Sequence, residues 1–159
     1  MTIEPSAPRS KSRLRGAAAM QARRQGRVHA LCLLYAFDQK HYVDDELLVV
    51  ADEVHQMDAE AIALGAKVFA GLLVERAAVD AIVDERLTNW TLGRMAVLDR
   101  SILRLGCYEL LYCADVPPKV VINEYIEIAK QYGSDGKTAK LVNGVLDRIA
   151  KDHRREDSP

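Results

Sequence analysis

An all-α fold, with helices packed in two layers around one core, is predicted by three features of the sequence. Proline occurs only at positions 5, 8, 117, 118 and 159, so the long stretch between Pro8 and Pro117 is free of the residue that most disrupts helices. Apolar residues recur at intervals of three and four. No alternating apolar run flanked by Asn-Gly or Asp-Gly turns is present, so hairpins are not indicated.

The elements follow in order. Residues 1–15 are rich in Ser, Pro and Arg and read as a flexible basic arm. One helical domain is expected over 16–152. Its first helix, roughly 17–40, places Val28, Leu31, Cys32 and Tyr35 on one face. A short helix is expected near 44–54, where Asp44 and Asp45 suit its N-terminus. A long one at 58–86 carries the stripe Ile62, Ala66, Phe69, Leu73 and Ala77. Asn89 to Gly93 form a connector. The helix at 95–114 is apolar on more than one face, as a central helix must be. Pro117 and Pro118 separate it from a helix at 118–132, because proline is tolerated in a first helical turn. Ile122, Tyr125, Ile126 and Ala129 give that helix one apolar face, and Gly133 is expected to end it with a positive φ. The last helix, 137–152, buries Val142, Val145, Leu146 and Ile149, and 153–159 form a polar, frayed tail. Gly144 inside that helix costs ~1 kcal/mol relative to Ala, which suggests close helix approach there with Asn143 bonding across it.

Composition bounds function. The 159 residues suit one domain with a core large enough to need no staples. A formal net charge of -1 conceals an asymmetry. Residues 1–27 hold seven basic residues and one acid; the remainder holds 15 basic and 22 acidic. A basic end on an acidic body fits a nucleic-acid contact, and on charge alone it fits a solvated tail equally. Cys32, Cys107 and Cys113 are odd in number, form no CxxC pair and sit in apolar runs. They read as small buried hydrophobes in a reducing, cytoplasmic setting. No signal-peptide core and no apolar run near ~18 residues is present, so no membrane role is expected.

Motifs for catalysis are sparse. No phosphate-binding glycine loop, nucleophile elbow or HExxH run is found. His29 and Cys32 share a helical face, but two ligands do not close a metal site, so a packed Cys beside a partly exposed His is expected. Glu124, Glu127 and Lys130 lie at ion-pair spacing on one helix. Glu109 lies one turn from Leu105 and Cys113 in the apolar helix and needs a partner, expected at a helix end or on another helix. No catalytic residue, metal or cofactor is expected.

Three blocks carry a resemblance. These are Arg23 to Tyr35 (RRQGRVHALCLLY), the run Ile122-Asn123-Glu124 with Glu127, Ala129 and Lys130, and Val142 to Asp147 (VNGVLD). Together they resemble the NusB family of transcription antitermination factors, while 40–90 matches in pattern only. The resemblance implies a compact bundle of about seven helices in two helical subdomains, without catalysis. It implies binding of the boxA element of nascent ribosomal RNA together with NusE, a ribosomal small-subunit protein. NusA, NusG and RNA polymerase complete the larger complex, and a homodimer of the free protein is a further possibility. Arg23, Arg24 and Arg27 take the place of the family's RNA-contacting arginines, with Arg13 and Arg15 on the arm as further candidates. Before VNG, Lys140 takes a basic position in RNA contact, and Leu141 stands where the family has an aromatic able to stack on a base. The loop 133–140 is about one residue longer than usual. Tyr35 and Asp99 take the NusE-contact positions; Tyr35 also continues the apolar stripe, and Asp99 has a shorter reach than the usual Glu. The same helical domain also resembles the RNA-binding part of ribosomal RNA cytosine methyltransferases, but Pro159 leaves no room for their cofactor domain.

Overall fold

The computed structural model describes residues 11–39 and 57–154. Their regular structure is five α-helices and one 3-10 turn. These are α1 (Lys11–Gln39), α2 (Ala59–Arg86), the turn Leu92–Arg94, α3 (Val97–Tyr112), α4 (Pro118–Tyr132) and α5 (Thr138–His153). The all-α expectation holds for the described residues, but they contain five helices where about seven were expected. The helix expected at 44–54, with Asp44 and Asp45, lies outside the described residues, as do residues 1–10 of the arm. Residues 11–15, expected in a flexible arm, are helical. The Ala-rich run that follows, with Arg, Gln and Met, favours helix and carries α1 back to Lys11. Among the described residues no helix is long and apolar enough to cross a membrane.

The seam between α1 and α2 is set by two glycines. A Cβ on Gly65 would lie 2.6 Å from the Gly26 carbonyl oxygen and 2.8 Å from His29 Cβ. Only glycine permits that approach. The contacts of Gly26 with Gly65 and of Asp38 with Arg76 show that the two helices run side by side in the same direction. The stripe expected on α2 is rotated by one residue. Ala61, Gly65, Leu72, Val79 and Val83 are buried, whereas Ile62, Ala66 and Ala77 are exposed. So many apolar residues surround this helix that periodicity alone did not select a face.

Helix α3 is central and packs against α1, α2, α4 and α5. Ten of its 16 residues are buried, the expected mark of a central helix. Gly106 admits the Leu146 side chain, which would lie 2.6 Å from a Cβ. Close approach therefore falls at Gly106, not at Gly144, where nothing lies within 4 Å of an added Cβ and where Asn143 is exposed. Gly133 does follow the last residue of α4, but its φ of -63° is ordinary. Glycine is required there by crowding, since a Cβ would meet the Ala129 carbonyl and lie 2.8 Å from Thr138 Cβ.

Charge ties the helices where apolar contact ends. Asp38 of α1, 5% exposed, accepts bonds from Arg104 of α3 at 3.1 Å and Arg76 of α2 at 3.2 Å. Arg104 also grips Asp80 with bonds of 2.8 and 3.1 Å. Cys32 and Cys107 are buried, and burial pushes the Cys107 thiol up to about 12, out of reach of thiolate chemistry at neutral pH.

Candidate nucleic-acid interface

The arginines of α1 divide by helical position. Arg15 and Arg23 are exposed. Arg13 lies within α1, and its side chain is outside the described residues. Arg24 points across to α4, where its Nε and Nη2 bond the two carboxylate oxygens of Glu124 at 2.8 and 2.9 Å. About half of the Arg24 side chain remains open to solvent. The hydrogen bonds from Arg24 hold the Glu124 carboxyl below the usual range.

Arg27 corrects an expectation. The family resemblance implies a surface phosphate contact, whereas Arg27 is 6% exposed and turned into the core. Its guanidinium forks onto Glu109 of α3 with bonds of 2.9, 3.0 and 3.2 Å. The reason lies in the helical spacing. Arg27 precedes Val28 on the inner side of α1, and Glu109 would otherwise be a lone buried carboxylate. Burial opposes the charge on Arg27, but the bonds and charge of Glu109 outweigh it and raise its pKa. Glu109 thereby finds the interhelical partner its position called for.

Between α1 and α4 runs a groove of about 320 Å³, floored by Val28 and Ile128 and edged by Arg24, Glu127 and Lys130. Lys130 pairs with Glu127 at 3.1 Å, the surface pairing expected of that spacing.

The second candidate region surrounds the start of α5. Lys140 is exposed and Leu141 half-buried. Leu141 and Lys137 border two grooves at once. One, of about 360 Å³, also touches Trp90, Arg94, Met95 and Asp99. The other, of about 490 Å³, also touches Arg86, Lys140, Gly144 and Arg148. Trp90, Arg94, Lys137, Arg86 and Arg148 were not singled out from sequence. Trp90 had a signal, being a lone tryptophan in a polar connector. Asn89 beside it adopts φ 68°, a left-handed conformation that Asn tolerates, and Trp90 is left 56% exposed.

Tyr35 and Asp99 are both buried, at 6% and 8% exposure. Tyr35 sits on the inner face of α1 with Leu31 and Leu34. Asp99 accepts the Ser134 backbone N–H at 2.9 Å and the Ser134 hydroxyl at 2.5 Å, which fastens the α4–α5 connection to the start of α3. It still borders the 360 Å³ groove. His29 is 8% exposed and packed on Gly65, contrary to the partly exposed position expected. No group of three His, Cys, Asp or Glu side chains suited to a metal occurs among the described residues.

The fold and these grooves define a small helical binding module with its open cations at one end of α1 and around α5. Comparison with known proteins is specific. The NusB family model matches residues 24–151. The chain is 38% identical over 135 residues to the transcription antitermination protein NusB of Myxococcus xanthus, covering 82% of this chain and 96% of that protein. It is 41% identical over 132 residues to the protein of the same name from Geobacter sulfurreducens, covering 82% and 95%. Its fold is similar to the T. maritima NusB crystal form, with TM-score 0.71, 36% identity and coverage of 85% and 95%. A structure of the antitermination factors NusB and NusE with double-stranded RNA matches with TM-score 0.69, 28% identity and coverage of 84% and 98%. The chain belongs to the NusB family, a family of transcription antitermination proteins and not of enzymes.

Proposed function

We propose that this chain is a cytoplasmic transcription antitermination factor that binds boxA RNA of nascent ribosomal RNA transcripts together with NusE. NusA, NusG and RNA polymerase complete the assembly. The observation that carries the reading is the likeness, over 84% of this chain, to a NusB solved with NusE and RNA. In this reading Arg15 and Arg23, with Arg13 beside them on α1, neutralise phosphates, which gives affinity and salt dependence but little sequence choice. Arg24 joins them by exchanging Glu124 for phosphate. Lys140 and Leu141 meet the RNA at the start of α5, where Leu141 offers an apolar surface in place of a stacking ring. NusE approaches the groove bordered by Asp99, and Tyr35 supports that contact from within the fold. Arg27 is assigned to the core.

Fluorescence anisotropy of a labelled boxA RNA and a scrambled RNA, with and without NusE, tests the proposal. A preference for boxA that sharpens when NusE is added is expected. Equal, purely salt-driven binding of both RNAs would overturn it.

A further inference from the structure

Cations on phosphates hold an RNA without choosing its sequence; choice comes from groups that meet base edges. The seam between α1 and α4, on the far side of Arg24 from the exposed arginines, carries such groups. Gln21, Arg24, Gln25 and Val28 step by three and four along α1, so they share one face of that helix. Ile128 and Gln131 lie one turn apart on α4. The groove of about 320 Å³ over Val28 and Ile128 adjoins a second of about 280 Å³, and Arg24, Val28 and Gln131 border both. Gln21 and Gln25 border the second.

The chemistry of the seam says which ligand. Its charges pair off within the protein: Arg24 forks onto Glu124 with bonds of 2.8 and 2.9 Å, and Lys130 meets Glu127 at 3.1 Å. A seam of no net charge is a poor track for a chain of phosphates. The amides, by contrast, are open. Gln21 and Gln131 are exposed, Gln25 is half-buried, and none of the three makes a side-chain hydrogen bond among the described residues. Each amide sets a donor beside an acceptor. Open amides over an apolar floor suit a flat, neutral ring with a donor and an acceptor on one edge, which is a nucleobase. Glutamine pairs bidentately with adenine, accepting from its exocyclic amine and donating to a ring nitrogen. Guanine calls for a guanidinium fork, and the Arg24 fork faces Glu124. Both grooves fall near the lower end of the roughly 300–1,000 Å³ of small-molecule sites, which suits a single base.

We propose that the groove between α1 and α4 is a base-reading subsite that seats one unpaired adenine of the RNA, with the amides of Gln25 and Gln131 on its edge and Val28 and Ile128 beneath its ring. The inference rests on the RNA-binding reading and adds to it a site of sequence choice.

The test uses the full chain, a labelled boxA RNA, and the same RNA with its adenines replaced by purine ribonucleoside, which lacks the exocyclic amine. The variant is Gln25→Ala with Gln131→Ala. Alanine is the better helix former and neither glutamine is buried, so helicity and Tm should not fall. The variant should bind boxA RNA about fivefold more weakly, or weaker still. Its salt slope should match the wild type, because no cation is removed. The wild-type chain should bind the purine RNA more weakly than boxA RNA, and the variant should bind the two alike. Wild-type affinity in the variant, or undiminished discrimination between the two RNAs, would overturn the proposal and leave the boxA reading intact. An equal loss on boxA and scrambled RNA with a shallower salt slope would make the seam a phosphate track and overturn it. Loss of NusE affinity with unchanged binding to RNA alone would assign the seam to a protein and overturn it too. Failure of the wild-type chain to prefer boxA over scrambled RNA would overturn the function proposed above, and this inference with it.

Discussion

Two ion pairs on α1 stand one turn apart and differ in almost everything but chemistry. Arg24 and Arg27 each fork onto a glutamate from a distant helix, with shortest bonds of 2.8 and 2.9 Å. The Arg24 pair sits at the rim, with Arg24 about half exposed and Glu124 13% exposed. The Arg27 pair is sealed, at 6% and 5%. At the rim, water competes for both ions, and such a pair contributes about 0–1 kcal/mol. In the core, neither ion can recover its hydration if the other is removed, so breaking the pair costs about 3–5 kcal/mol even where forming it gains little. The lesson is that the same residue type on the same helix serves binding or architecture according to the face it occupies.

The sealed pair carries the largest expected effect. Arg27→Ala leaves Glu109 buried and alone and should cost about 3–5 kcal/mol in urea unfolding. The double change Arg27→Met with Glu109→Leu should recover most of that loss, since an apolar pair of similar volume replaces both ions. A single-variant cost under about 1 kcal/mol would mean that Glu109 is hydrated, against its burial.

A smaller effect comes from His29, two residues beyond Arg27 and packed on Gly65. Burial lowers its pKa from 6.5, and its Nδ1 has no hydrogen-bond partner among the described residues. Between 6.5 and the lower folded value, the unfolded chain holds the extra proton. Stability is therefore intact above 6.5, falls as pH drops through that window and levels off beneath the folded value. Thermal melts from neutral to mildly acidic pH should show this decline, and His29→Gln should flatten it. A decline of equal depth in the variant would assign the effect to other groups.

These distinctions were unevenly legible in the sequence. The inner faces of α1 and α5 were readable because their apolar residues form single stripes: Val28, Leu31, Cys32 and Tyr35 are all buried, as are Val142, Val145, Leu146 and Ile149. The bounds of α4 were readable because Pro118 and Gly133 punctuate it. The face of α2 was not, because it is decided by Gly65 meeting Gly26, and a close approach between distant glycines leaves no periodic trace. The candidate site suffered most. Arg23, Arg24 and Arg27 are indistinguishable by type, and the partner that withdraws Arg27 is 82 residues away in the chain. Lys137, Arg86 and Arg148 are scattered cations until α2 and α5 bring them to one groove.

The weak end of the comparison carries the functional claim, that exposed arginines of α1 meet RNA while Arg27 holds the fold. The most direct measurement is the salt dependence of boxA affinity for the wild-type chain and for Arg15→Ala with Arg23→Ala, with helicity followed by circular dichroism. Both side chains are exposed, so thermal stability should change by less than about 0.5 kcal/mol. The log–log salt slope should become shallower by roughly 1.4, two phosphate contacts' worth on a single strand. Parallel slopes at unchanged helicity would contradict the account and take the RNA off this face of α1.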